Sequence, residues 1–222
     1  MRYDPLVART AFLLLLVSLL TCADLVGVEP ALRLRLIDEA IGIGHSRIRA
    51  VHARFHEPYR IQIAAPPIDY VDIVTPFRRV VLVAEERTRA GGRLLQREAV
   101  ALLADRSTLV EFRIEMTFHP LNAFVGVPAY DILLTTDAAG SHIDPVQTGL
   151  IPRFGARFEG MPSGLPSTGV AALAGGSQPL LGGTVVATFD SDALNRTGIY
   201  ELVVSENESV LTRTHVDLGT VR

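Results

Sequence analysis

The sequence predicts a mainly β fold with a minor α part, a two-layer sandwich preceded by a helical N-terminal segment. Three observations carry this. The stretch 110–118, VEFRIEMTF, alternates strictly, with Val110, Phe112, Ile114, Met116 and Phe118 on one face and Glu111, Arg113, Glu115 and Thr117 on the other. Such a strand buries one face and wets the other. Several further short runs follow with turn signals between them, the pattern of a sandwich. Before residue 65 the apolar residues instead recur at helical spacing.

Residues 1–23 have the three parts of an export signal. Arg2 and Arg9 lie in a short head, residues 11–20 carry no charge, and small residues follow at Thr21, Cys22 and Ala23. Spanning a bilayer as a helix takes roughly 20 apolar residues, so this shorter run predicts a cleavable signal peptide. Two processing routes stay open. Cleavage after Ala23 discards Cys22, the one cysteine of the chain. Alternatively, Leu19-Leu20-Thr21-Cys22 resembles a bacterial lipobox, which implies a lipidated Cys22 as first residue, although Thr21 stands where Gly, Ala or Ser is usual. On either route Cys22 is no thiol nucleophile. A body of roughly 200 residues folds without disulfides.

Residues 24–64 are predicted as the helical segment. Leu32, Leu36, Ile37 and Ile41 lie at helical spacing until Gly42 and Gly44 interrupt it. A second helix is expected from about 46 to 55, ending before Pro58. The APP stretch at 65–67 predicts a linker into the main domain, 65–222. There the Val-rich FRRVVLVAEE (77–86) predicts a strand, and 91–106 a helix inserted in the sandwich, with Leu94, Leu95, Ala99, Leu102 and Leu103 as its apolar stripe. Further strands are expected at 110–118, 129–135, 153–158, 184–189, 199–204 and 210–218. The Gly-, Pro- and Ser-dense stretch 160–183 predicts a loop or an irregular sheet edge.

SDALNRTGIYELVV, near the end of the chain, resembles the corner between the fifth and sixth strands of bacterial exported immunoglobulin-like (fibronectin III-like) domains. Gly198, Tyr200 and Leu202 fill the positions of that motif, with Leu202 where antibody-type domains have their second cysteine. The resemblance implies a tyrosine corner, its phenol hydrogen-bonded to upstream backbone. It covers about 35 residues. The disulfide and core Trp of antibody domains are missing, and the helix at 91–106 is foreign to them.

Composition removes several chemistries. The 21 basic residues are all arginine, so no Schiff base, P-loop lysine or lysine general base exists here. Up to Pro120 there are 16 arginines against 14 acids, and beyond it 5 against 10. Neither half has a nucleic-acid footprint. The chain has no Trp, which argues against a carbohydrate platform of stacked indoles.

Candidate chemistry is sparse. His45, His52 and His56, followed by Glu57, would share one stripe of an unbroken helix and could hold zinc or copper. Gly44 and Pro58 limit that helix, and Arg47, Arg49 and Arg54 crowd it, so a solvated cationic face is the preferred reading. Ser141, His142 and Asp144 are sequence neighbours, whereas triad members meet through the fold, and no nucleophile elbow supports them. Asp190, Asp192 and Asn195 lack the Gly and Glu of a calcium loop and read as a polar turn. His119 reads as a turn residue. The sequons at Asn195 and Asn207 matter only in a eukaryotic host.

The expectation is therefore an exported envelope module, periplasmic or extracellular, that binds an envelope protein or surface component. It would need no cofactor and no catalysis, and would touch the membrane only through a possible lipid anchor. The alternative is a small metal-dependent enzyme or metal carrier using the three histidines.

Overall fold

A computed structural model describes residues 32–119, 121–136, 141–155 and 179–222. Cys22 and the signal segment, residues 24–31, the end of the expected 153–158 strand and positions 160–178 of the Gly- and Pro-rich stretch lie outside these residues.

Four α-helices, nine strands and three single-turn 3-10 helices make up the described chain. Helix α1 (Leu34–Gly44) and α2 (Arg49–His56) come first, followed by β1 (Arg60–Ala65) and β2 (Ile68–Val74). Then come α3 (Pro76–Arg89), α4 (Gln96–Leu103), β3 (Leu109–Thr117), β4 (Asp131–Thr135) and β5 (His142–Ile143). The chain continues through β6 (Gln147–Phe154), β7 (Leu180–Asp190), β8 (Ile199–Glu206) and β9 (Ser209–Asp217). The fold is mainly β, with two antiparallel sheets ordered β1-β2-β3-β7-β6 and β5-β4-β8-β9.

Several sequence expectations need correction, among them the helical segment 24–64, whose last residues 60–64 belong to strand β1. Residues 77–86 are helix, not strand. The Thr75 hydroxyl accepts from the Arg78 amide at 3.2 Å and Pro76 opens the first turn, a strong start signal. Phe77, Val80, Val81 and Ala84 are buried at spacings of three, one and three, a helical stripe that overrides the strand preference of valine. Residues 65–67 are not a linker: Pro66 and Pro67 turn the chain between β1 and β2, which pair antiparallel. The 160–183 stretch ends in strand, since Leu180–Gly183 belong to β7.

Gly42 does not interrupt α1, and Gly44 ends it for a packing reason. A Cβ there would stand 2.5 Å from both the Ala84 Cβ and the Val81 carbonyl oxygen, so α1 and α3 approach at this glycine. Ile37, Ala40, Phe77, Val80, Val81, Ala84, Leu94, Ala99 and Leu103 form a small helical core. The main core is larger and draws buried residues from both sheets, among them Phe112, Ile114 and Phe189 from one and Leu134, Leu202 and Val204 from the other. Phe55 packs against both cores. Val110, Phe112, Ile114 and Met116 of β3 and Phe118 just after it are buried as expected, but Glu111 on the opposite face is buried too, so only part of that face is wet.

Tyr200 is buried, and its hydroxyl accepts from the Asn195 amide at 2.5 Å. Gly198 lies beneath it, where a Cβ would come within 2.9 Å of the Tyr200 ring and 3.0 Å of the Asn195 carbonyl. Leu202 is fully buried in the main core. Tyr200→Phe would strand the Asn195 N–H, so a loss of about 1–3 kcal/mol is expected. Urea denaturation should show it as a lower midpoint at unchanged slope.

Candidate functional site

The three histidines part company in the structure. His45 follows α1, where its Nδ1 lies 2.5 Å from the Thr88 hydroxyl and its Nε2 accepts from the Leu94 amide at 3.1 Å. Thr88 in turn donates to the Ala84 carbonyl. Nε2 also lies 3.4 Å from the Leu94 carbonyl oxygen, so both ring nitrogens are occupied by structural bonds.

His52 and His56 do come together, on an acid the sequence did not suggest. Oε1 of Glu85 lies 2.7 Å from His56 Nε2 and 3.4 Å from His52 Nδ1, while His52 Nε2 bonds the Ile43 carbonyl at 3.1 Å. These imidazoles are half-buried rather than solvated. Glu57 takes no part in this bonding. Among the described residues no three His, Cys, Asp or Glu side chains gather at metal-binding spacing.

Beneath them lies Arg78, 2% exposed. Its Nε donates to His56 Nδ1 at 3.3 Å, its Nη1 to the Ile73 carbonyl at 2.6 Å, and its Nη2 to both Asp72 oxygens at 2.9 and 3.0 Å. The guanidinium also lies 4.9 Å from the Tyr59 ring centroid. Donation into Nδ1 leaves the His56 proton on Nε2, aimed at Glu85. Arg78 and Glu85 stand seven apart, two turns of α3, so a helical reading of 76–89 would have put both on one face. The cluster joins helices to sheet and consumes its own donors and acceptors.

The outer face of the five-stranded sheet gathers more charge. Tyr70, Glu115, Thr184 and Ile151 form one cross-strand row, and Asp72, Arg113, Val186 and Gly149 the next. Buried Glu111 accepts from Arg79 at 2.7 Å and from Arg113 at 2.8 Å. Burial pushes its carboxyl up, but hydrogen bonds and charge from these arginines outweigh that and hold it below the usual range. Glu115 accepts from Arg153 at 2.5 Å and from the Thr184 hydroxyl at 2.6 Å. Between these rows lies a shallow concavity of about 430 Å³, with Ile151 on its wall.

The chain matches no family model, no curated protein and no solved structure.

Ile151 belongs to β6, which among the described residues pairs on one side only, with β7. Leu150, Ile151 and Phe154 on this strand and Val146 beside it are exposed. Its single charge, Arg153, folds back over the sheet onto Glu115, the Met116 carbonyl and Thr117. Other edges are better guarded: β5 has two residues, β1 carries Arg60 and Gln62, and β9 carries Arg213 and His215. An apolar open edge is a template for a further strand. Pro152 suits an edge and removes one donor from it.

The remaining sequence candidates are local. His142 Nε2 and Asp144 are 3.8 Å apart and both largely exposed, while Ser141 bonds the Thr136 hydroxyl. Asp190 accepts from the Asp192 amide and Asn195 from the Thr197 amide, which makes the polar turn. His119 accepts from the Leu121 amide. No helix among the described residues is long and apolar enough to cross a membrane.

Proposed function

We propose that this protein is an exported, non-catalytic binding module of the cell envelope, an immunoglobulin-like sandwich that captures an extended segment of an envelope partner along β6. The observation that carries this is the open apolar edge of β6 beside a polar concavity. Backbone groups on the edge supply affinity, and alternate side chains of the added strand supply specificity at Ile151 and the Glu115 row.

Strand order supports the sandwich. Taking β2 as A and β3 to β9 as B, C, C′, D, E, F and G, one sheet is ordered A-B-E-D and the other C′-C-F-G, the pairing of immunoglobulin-type domains. In that frame Tyr200 falls near the start of F, at the E–F corner. The helical layer is an addition to this plan. The binding reading is further supported by how the gathered ionisable groups are spent: His56, Arg78 and Glu111 are bonded to neighbours inside the protein, whereas a catalyst aims such groups at a substrate.

Export has a direct test. Intact mass of the protein from the cells that make it should show a chain beginning at Asp24, or at a lipidated Cys22 with a diacylglycerol increment. A chain still beginning at Met1 overturns the envelope assignment. Metal analysis of the same sample separates the metal-carrier reading: one equivalent of zinc that survives dialysis, and is lost on replacing His45, His52 and His56 with alanine, would make that reading the better one.

A further inference from the structure

The arginines divide into two populations. Those on or against the sheets are ion-paired: Arg60, Arg78, Arg79, Arg113, Arg153 and Arg213 each meet a carboxylate within 3.4 Å. In the helical layer nine arginines are exposed and meet no carboxylate among the described residues: Arg33, Arg35, Arg49, Arg54 and Arg97, and the four that concern one corner of the layer, Arg47, Arg87, Arg89 and Arg93. These four lie in two segments brought together by His45. Its ring bonds Thr88 on one side and the Leu94 amide on the other, so the loop after α1, the end of α3 and the turn before α4 meet at one corner. His45, Arg47, Gly91, Gly92 and Arg93 line a cavity of about 410 Å³ there.

Arginines at 87 and 89 suit the C-terminal end of a helix on dipole grounds alone. Arg47 and Arg93 lie outside helices, so that explanation does not reach them. The same corner carries two large exposed apolar residues next in line to these arginines and to Leu94: Ile48 at 62% and Leu95 at 46% exposure. Guanidinium groups beside exposed aliphatic side chains match the headgroup region of a bilayer, where cations meet phosphate and apolar side chains reach the acyl boundary. A single-stranded nucleic-acid surface would call for stacking aromatics instead, and none lies between Gly42 and His52 or between Leu82 and Leu109; duplex binding is left to the test below.

The geometry points to this corner as a docking surface for anionic phospholipid: Arg47 and Arg93, backed by Arg87 and Arg89, engage headgroup phosphates while Ile48 and Leu95 enter the interface. This goes beyond the β6 reading and stands whether or not β6 binds a partner, because it concerns the other layer.

Flotation of the purified protein with vesicles tests it directly. Vesicles of phosphatidylglycerol and phosphatidylethanolamine should retain the protein better than phosphatidylcholine alone, which sets the baseline for any acyl chain on Cys22. The excess should vanish at about 0.5 M salt, where screening shortens to a few ångströms. The pair Arg47→Gln and Arg93→Gln should lower the excess about tenfold or more, whereas Arg196→Gln, an exposed arginine elsewhere, should leave it unchanged. Replacing both arginines with lysine should retain it, which separates charge from misfolding. Equal retention on both vesicle types, indifference to the Arg47 and Arg93 changes, or salt-sensitive binding to duplex DNA without a phosphatidylglycerol preference would overturn the assignment.

Discussion

Arg78→Ala is expected to lower stability by about 3–5 kcal/mol, the usual cost of leaving one member of a buried ion pair alone. The guanidinium is 2% exposed and joins Asp72, the Ile73 carbonyl and His56. Its removal leaves Asp72 with Arg60, whose contact is longer at 3.4 Å and half in solvent, and opens a gap under Tyr59. Arg78→Lys keeps the charge but loses the fork that grips both carboxylate oxygens, so it should recover only part of the loss. Urea unfolding at neutral pH measures both. A loss below about 1 kcal/mol for the alanine variant would mean that the helical layer does not depend on this network.

Glu111→Gln is the second large effect, again about 3–5 kcal/mol at neutral pH, because Arg79 would remain buried against a neutral amide. Here pH supplies an independent readout. The Glu111 carboxyl is held below its ordinary value in the folded protein, despite burial, by Arg113 and Arg79. Its contribution is therefore fully present above the unfolded value of about 4.3 and is lost as pH falls through the lower folded value. Wild-type stability should drop on acidification in that range, while the Gln variant, already weaker, should lose less over the same interval. Equal pH slopes would show that other carboxylates carry the acid sensitivity.

How far the sequence revealed this molecule depended on which physical signal dominated locally. The alternating apolar residues of β3, and the runs that became β4, β8 and β9, are legible because Val110, Phe112, Ile114 and Met116, Ile132 and Leu134, Tyr200, Leu202 and Val204, and Val216 recur at or near a period of two and enter the main core. Helix α3 was not, since valine content suggested a strand while the deciding features were Thr75, Pro76 and the spacing of Phe77, Val80, Val81 and Ala84. An extended 77–86 does not place Arg78 and Glu85 beside His56, so the acid that meets His52 and His56 is not legible without the helix. The Pro66-Pro67 turn looked like a linker because proline punctuation alone does not tell a hairpin turn from a boundary. That β6 pairs on one side only among the described residues was not legible for a different reason. Whether a strand lies at an edge is a property of the whole sheet, and only the β3-β7-β6 pairing places Leu150 and Ile151 there.

Site-specific photo-crosslinking in living cells tests the central claim most directly. A photoreactive phenylalanine analogue is placed in turn at Leu150 and Phe154 on β6, and at Val210 on β9, which has matched exposure of 45% against 45% and 46%. The β6 positions should give a discrete adduct with one envelope component, and Arg or Asp introduced at Ile151 should abolish it, while Val210 gives none. Absence of any β6 adduct in cells that export the protein, or the same products from Val210, would contradict a binding role for this edge.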